Sequence, residues 1–141
     1  MARPLRIEFA GAIYHLCGRG NARGLIFRDD LDRAHFLQLL EESAQRFRGA
    51  VLCFVLMPNH FHLAAQTQRP NLGRWMHWLT TAYTVYFNRR HRLVGHLFQG
   101  RYKSDVYGWL GMHVPCEMTR NENLRALPRL RGDLRHVQLK Q

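Results

Sequence analysis

The stretch VLCFVLMPNHFHLAAQ, residues 51–66, decides the fold because it predicts two strands joined by a tight turn. Residues 51–56 are continuously apolar, which is typical of a strand covered on both faces. The Pro-Asn pair that follows favours a turn. In the next strand, residues 60–66, side chains alternate between faces, so His60 and His62 point the same way with backbones about 7 Å apart. This pattern predicts a β-hairpin that presents two imidazoles on one face.

On each side of the hairpin, the sequence predicts one helix and one further strand. Asp29 and Asp30 favour the start of a helix, and apolar residues then recur at helical spacing. The expected elements are, in chain order, a strand over 7–17, a helix from Asp29 to near Gly49, the hairpin, a helix over 72–88 and a strand over 101–106. This β-α-β-β-α-β order matches the ferredoxin-like split arrangement. We therefore predict an α+β fold, an antiparallel sheet with both helices on one face.

The composition indicates an ordinary globular protein. A chain of 141 residues with 46% hydrophobic content is expected to form one domain. No apolar run approaches the roughly 20 residues that span a bilayer. Residues 1–8 lack the apolar core of a secretory signal, so we expect a cytoplasmic protein without a membrane partner. The three separated cysteines, Cys17, Cys53 and Cys116, argue against a disulfide framework.

The distribution of charge is one-sided. The chain has 21 Lys and Arg against 10 Asp and Glu, and no acidic residue occurs from Ser43 through Ser104. A surface of this kind binds a polyanion by releasing the counterions of its phosphates. A basic surface without such a partner, or a membrane surface, explains the pattern less well, because the interval includes the paired histidines and no isolated basic amphipathic helix is present.

His60 and His62 are the candidate metal ligands. The simpler interpretation of two such histidines is that they are half-buried and bonded to neighbouring backbone. A stable metal site needs further ligands as well. Gln66 shares the predicted histidine face, although a plain surface role suits it better, and His15 is a distant candidate.

Several segments in succession carry a resemblance to a known family. They are residues 1–6, Tyr14-His15 with Arg19-Gly20-Asn21, IFRDD at 26–30, VLMPNHFH at 55–62, Tyr83 with FNRRH at 87–91, and GHLFQGRYK at 95–103. The chain resembles the single-tyrosine HUH transposases, and most closely their REP-associated tyrosine transposase branch. A lone His-x-His pair is a weak signal, whereas these segments in order are a specific one.

The resemblance implies a ferredoxin-like core and a divalent metal, Mg²⁺ or Mn²⁺, held by His60 and His62. It implies single-stranded or hairpin DNA as the substrate. The implied reaction is attack of a tyrosine on a phosphodiester, which leaves a 5′-phosphotyrosine link and a free 3′-hydroxyl. A metal polarises the phosphate oxygens, and the covalent link preserves the bond energy, so a second hydroxyl can reverse the step and join strands.

The end of the chain departs from the family pattern. Family members carry the nucleophile on a helix resembling Arg-Tyr-Ile-x-x-Asn-Pro-Val-Arg-Ala, and residues 108–128 contain no tyrosine. We expect residues 1–107 to form the core and residues 108–141 a divergent, partly ordered basic tail, altered by a frameshift or gene decay. Tyr107 is the closest substitute nucleophile in position, followed by Tyr102, for which stacking on a base is an alternative role. Cleavage is therefore expected to be weak or absent.

Eight residues are predicted to contact DNA. They are Arg19, Asn21, Arg23, Arg89, Arg90, Gln99, Arg101 and Lys103. For Arg19, Asn21 and Arg23, which lie in a glycine-rich loop, the alternative is a solvated turn. For Arg89 and Arg90, at the end of the second predicted helix, the alternative is a favourable interaction with the helix dipole. Three functions stay open: a strand-nicking transposase, a catalytically inactive DNA-binding module derived from one, and an RNA-binding module. A monomer and a homodimer both remain open.

Overall fold

A four-stranded antiparallel sheet carries two helices in this computed structural model, which describes Arg6 and residues 8–108. The elements are β1 (Ile13–Arg19), a 3₁₀ turn (Asn21–Arg23), α1 (Asp30–Phe47), β2 (Gly49–Met57), β3 (His60–Thr67), α2 (Leu72–His91) and β4 (Lys103–Gly108). The strand order is β2-β3-β1-β4, and each neighbouring pair is antiparallel. This order confirms the predicted α+β, ferredoxin-like fold.

Helix α1 begins and ends close to where the sequence predicts. The side chain of Asp29 accepts a hydrogen bond from the Asp32 N–H at 3.0 Å, which caps the first turn. Arg48 ends the helix in the left-handed conformation, with φ of 52°. Gly49 then enters β2 directly beneath Trp75, where a Cβ atom would lie 2.2 Å from the indole ring. A glycine is needed here for the close approach of strand and helix.

The core lies between the helices and one face of the sheet. Phe36 and Leu40 of α1 and Leu79 and Tyr83 of α2 are fully or almost fully buried there, facing Phe61 of β3. Two further polar groups are satisfied inside this layer. They are the Trp75 indole N–H, which donates to Ser43 Oγ at 2.7 Å, and the Tyr83 hydroxyl, which donates to the Ile26 carbonyl. The opposite face of the sheet is not covered by either helix.

An ion cluster ties the start of α1 to the end of α2. Asp32 is completely buried and accepts hydrogen bonds from Arg90 at 2.6 Å and from His91 at 2.8 Å. Arg90 also donates to both carboxylate oxygens of Asp29. The two helices are therefore fastened at this end by charge as well as by packing.

The expectation of a fully covered second strand is wrong. β2 is an edge strand, and only Cys53 and Phe54 in it are buried. A continuous apolar run occurs both in strands that are covered on two faces and in strands with one covered and one half-exposed face. A bulge between Val51 and Cys53 also shifts which side chains of β2 point to each face.

The predicted core boundary at residue 107 falls within β4. Residues 109–141 lie outside the described residues, so the expected tail stays a prediction. Within Arg6 and residues 8–108, no helix has the length and apolar character needed to cross a membrane.

Candidate metal centre and nucleic-acid surface

His60 and His62 project together from the uncovered face of the sheet, as strand alternation predicts. Phe61 and Leu63, which alternate with them, are buried on the helix side. In the register of the sheet, Arg19 lies opposite His60. We call this surface the open face, defined by Arg19, Cys17 and His15 of β1 together with His60 and His62 of β3.

The spacing of the two imidazoles fits a shared metal ion. Their ring centroids lie 5.0 Å apart and their planes meet at 86°. An ion bound about 2.1 Å from an imidazole nitrogen lies about 3.2 Å from the ring centroid, so two such ligands set about 100° apart have centroids roughly 5 Å apart. The centroid separation of the pair therefore equals that of two imidazoles on adjacent coordination positions of one ion.

A third histidine, His15, lies beside the pair. From the sequence alone, His15 is only a distant candidate ligand. His15 Nε2 lies 3.0 Å from His62 Nδ1, and the two rings are parallel to within 2°. The contact arises because β1 runs beside β3 with Cys17 opposite His62, which places His15 one row away on the same face. This register is the signal that sequence alternation alone does not contain.

The environment favours neutral imidazoles, the form that binds metal. Burial lowers the pKa of His60, and the positive charge of Arg19 lowers it further. Burial also lowers the pKa of His62, with additional contributions from His15, His60 and Arg19. Both pKa shifts favour the neutral form of the imidazole over the protonated form.

Two imidazoles make only part of a coordination sphere. In the part of the chain that the structure describes, no group of three His, Cys, Asp or Glu side chains is placed to hold an ion. Water, phosphate oxygens of a substrate or a residue beyond 108 are the groups that suit the remaining positions. Open positions of this kind are what a catalytic metal site requires.

Two of the predicted DNA-binding residues lie near the histidines, on the side of β3 where β1 and β4 follow in the sheet. Arg19 is exposed at the end of β1, and Lys103 is exposed at the start of β4, opposite Cys17. Cys17 in turn pairs with His62, so the sheet places lysine, cysteine and histidine in one row. The open face thus combines imidazoles and cationic side chains within two strand spacings.

A groove of about 670 Å³ lies between α2 and the segment that precedes β4. Gln99 and Arg101 are exposed along it, and His77, Thr80 and Thr84 line the helix side. The segment is joined to β1 through the Gln99 N–H, which donates to the Arg19 carbonyl at 2.8 Å. Gln99 and Arg101 are therefore close to the end of β1 that carries Arg19, on the helix side of the sheet.

Other predicted DNA-binding residues lie elsewhere. Asn21 and Arg23 are exposed in the turn after β1, beside the Pro58-Asn59 turn. Arg89 is exposed near the end of α2, and Arg90 is used in the ion cluster with Asp29 and Asp32. The structure does not bring these two helix residues to the histidines.

Of the two candidate tyrosines, Tyr102 is not brought to the histidines. The Tyr102 ring lies under the Arg6 guanidinium, and its buried hydroxyl approaches Gly73 of α2 and has no hydrogen-bond partner among the described residues. Burial raises the pKa of this phenol, which makes the phenolate harder to form. Tyr107 belongs to β4, but its side chain is outside the described part of the structure.

Comparison with known families identifies the chain. The sequence model of a family described as IS200-like transposases matches residues 8–119, well over half of the chain. The chain belongs to the IS200-like transposase family. This match confirms the family that the sequence motifs predict. Transposases of this kind are generally metal-dependent.

Two solved structures share the fold of this IS200-like family member. A REP-associated tyrosine transposase bound to a REP hairpin aligns over 75% of this chain and 62% of its own, with a TM-score of 0.60 and 11% identity. A candidate transposase from Deinococcus radiodurans R1 aligns over 74% of this chain and 82% of its own, with a TM-score of 0.54 and 16% identity. The chain thus spans less than two thirds of the REP-associated relative. No curated protein sequence matches at a significant level.

Proposed function

We propose that this IS200-like transposase binds single-stranded or hairpin DNA across its open face and holds Mg²⁺ or Mn²⁺ at His60 and His62. The observation that carries the proposal is the convergence of these imidazoles beside Arg19 on the side of the sheet away from the helices. A REP hairpin is the ligand of one structural relative, which supports folded DNA as the partner.

The residues of the open face have distinct roles in this proposal. Arg19 of β1 and Lys103 of β4 neutralise phosphates on one side of His60 and His62 and hold the strand beside them. When bound, the metal supplies Lewis-acid polarisation of a phosphodiester for strand nicking and joining. His60, His62 and Lys103 belong to the acid-free interval from Ser43 through Ser104, and the first carboxylate after it, Asp105, pairs with His15 at a distance of one row from Lys103.

A DNA-binding module without cleavage is the second candidate, and the tyrosines favour it. Tyr14 and Tyr83 are buried in the core, and burial strongly raises the pKa of Tyr83. Tyr102 faces α2 with its hydroxyl buried. Among the side chains that the structure describes, none of these phenols is positioned beside the histidines, so we propose that cleavage by this chain is weak or absent.

One experiment separates the two candidates. The full chain is incubated with end-labelled hairpin DNA and Mn²⁺, and protein-linked product is sought on a denaturing gel. A nicking enzyme gives a covalent adduct that disappears with chelator or with His60→Ala. Gln66→Ala is the matched control, because Gln66 shares the histidine face at its far end. The binding module gives no adduct in any variant.

Binding is measured in parallel by titrating each variant with the same hairpin. Both candidates predict binding that weakens steeply as salt increases. Absence of DNA binding at low salt, or a clear preference for RNA of the same sequence, would overturn the proposed function and favour the RNA-binding alternative.

A further inference from the structure

His60 and His62 both use the same ring nitrogen, Nδ1, in a hydrogen bond. His60 Nδ1 lies 2.8 Å from Asn59 Oδ1, and His62 Nδ1 lies 3.0 Å from His15 Nε2. In each ring the other nitrogen, Nε2, makes no hydrogen bond within the described residues. Two neighbouring imidazoles are therefore held through Nδ1, although their partners differ in kind and come from different parts of the chain.

The partner of His60 determines which nitrogen carries the proton. Asn59 Nδ2 donates to the Arg23 carbonyl at 3.4 Å, so the amide oxygen is the atom that faces the ring. An amide oxygen only accepts hydrogen bonds, and His60 Nδ1 must therefore donate. In the neutral ring the remaining nitrogen, Nε2, then carries the lone pair that a metal requires.

The partner of His62 works in the same way through a second imidazole. The His15 and His62 rings are parallel to within 2° and their centroids lie 5.2 Å apart, close to the separation of two rings joined edge to edge by a 3.0 Å N···N contact, so one proton between Nε2 of His15 and Nδ1 of His62 makes the hydrogen bond. When the proton is on His62 Nδ1, this N–H donates to His15 Nε2, and His62 Nε2 keeps its lone pair. Only this arrangement lets both histidines act through the same nitrogen.

We propose that Asn59 and His15 are positioning residues that fix His60 and His62 as Nδ1–H tautomers, with both Nε2 atoms turned toward a divalent cation. The proposal rests on the proposed metal site and deepens it. Metal-bound histidines commonly donate their second nitrogen to a carbonyl, a carboxylate or water, and this partner orients the ring. Here an amide oxygen and a third imidazole take that role.

The turn that carries Asn59 is itself held in place by the loop after β1. The Asn59 carbonyl accepts from the Gly20 N–H at 2.8 Å, and the Pro58 carbonyl accepts from the Ile26 N–H at 2.9 Å. Ala22 and Arg23 adopt left-handed conformations, with φ of 52° and 58°, which non-glycine residues rarely do. This conformation brings the Arg23 carbonyl to the Asn59 amide, so the unusual backbone serves the orientation of His60.

The first test determines the tautomers in the metal-free protein by ¹⁵N NMR of the imidazole nitrogens. At about pH 8, above the ordinary histidine pKa of about 6.5, the rings are neutral. The proposal expects His60 and His62 to be Nδ1–H in the wild type and in Gln66→Ala. Asn59→Asp keeps an acceptor and should keep this tautomer at His60. Asn59→Ala should shift His60 toward the Nε2–H form.

The second test measures Mn²⁺ affinity of the same proteins by calorimetry. Loss of an outer partner typically weakens metal binding about 10–100-fold, and we expect this for Asn59→Ala and His15→Ala. Asn59→Asp and His15→Gln retain an acceptor and should recover most of the affinity. Backbone amide spectra show whether each variant is folded, and the two conservative variants keep the test informative if an alanine variant is not.

The outcomes distinguish this proposal from the proposed function. Nε2–H tautomers in the wild type would overturn the proposal even if Mn²⁺ binds. A wild type with Nδ1–H tautomers that binds no Mn²⁺ would overturn the metal site and leave the role of Asn59 in ring orientation intact. Equal losses in Asn59→Ala and Asn59→Asp, with the tautomer unchanged, would show that Asn59 acts only on the turn.

Discussion

Gly49 shows how a single position sets the distance between sheet and helix. A Cβ atom there would lie 2.2 Å from the Trp75 ring, which is itself 1% exposed and donates its N–H to Ser43. Gly49→Ala should therefore destabilise the protein by about 1–3 kcal/mol through overpacking. Urea denaturation measures the change. Ala50→Val is the control, because Ala50 is the exposed neighbour, and it should change the free energy of unfolding by less than about 0.5 kcal/mol.

The histidines show what a sequence predicts at the scale of residues. Strand alternation is local, so it places His60 and His62 on one face without knowledge of the fold. The contact between His15 and His62 depends on the register of two strands that are 47 residues apart at these positions. The sequence predicts that Asn59 is a turn residue. Its hydrogen bond to the His60 ring depends on a side-chain orientation that the sequence pattern does not specify. Local geometry was predictable and the supporting contacts were not.

The ends of α1 and α2 are joined by charges that make stability depend on pH. Hydrogen bonds from Arg90 lower the pKa of Asp29 to about 2. Burial alone would raise the pKa of Asp32, but hydrogen bonds from the Arg28 N–H, Arg90 and His91 lower it overall. Because both values are lower in the folded state than the unfolded value of about 3.9, this contribution is complete above about pH 4 and is lost as pH falls toward 2.

We expect the free energy of unfolding, measured in urea, to fall as pH is lowered from about 4 to 2. The steepness of this fall with pH should depend on Arg90. Arg90→Met should lower stability at pH 7, since it leaves the buried Asp32 carboxylate with fewer partners, and should flatten the acid slope. Asp30→Asn is the control, because Asp30 is exposed and forms an ion pair with Arg33, outside the Asp29-Asp32-Arg90 cluster. An unchanged slope in Arg90→Met would contradict the assigned role of the cluster.

The elements themselves were largely predictable, because each helix carries its own start and stop signals. The Asp29 cap and the break at Asn71 fix both helix starts within one residue. The predicted first strand, 7–17, is Ile13–Arg19 in the structure. That difference arises because pairing with β3 and β4, rather than composition, decides where a strand ends.

At the scale of the whole molecule, the sheet separates two functions. One face packs on the helices and supplies stability, and the other carries the imidazoles and the flanking cations. The family match extends to residue 119, beyond the expected core boundary at 107. The order of the predicted elements thus gave the topology, and the sequence motifs gave the family. The role of residues 108–141 stays a prediction, because their sequence does not show the family's nucleophile segment.

The separation of faces predicts how salt affects DNA binding. Each phosphate contact in a single strand contributes about 0.7 to the slope of log K against log salt. Arg19→Gln and Lys103→Gln should each reduce that slope by about one contact and weaken binding to all sequences to a similar degree. The measurement is fluorescence anisotropy of labelled hairpin DNA across a series of salt concentrations.

Arg46→Gln is the matched control for this series. Arg46 is an exposed arginine of α1 that contacts Phe47 and Trp78 on the helix side of the sheet. Arg46→Gln removes one positive charge from a molecule of formal net charge +11, as Arg19→Gln does, but it leaves the open face unchanged. A slope reduced equally by Arg46→Gln and Arg19→Gln would mean that net charge alone attracts the DNA. A reduction confined to Arg19 and Lys103 would place the phosphates beside the histidines.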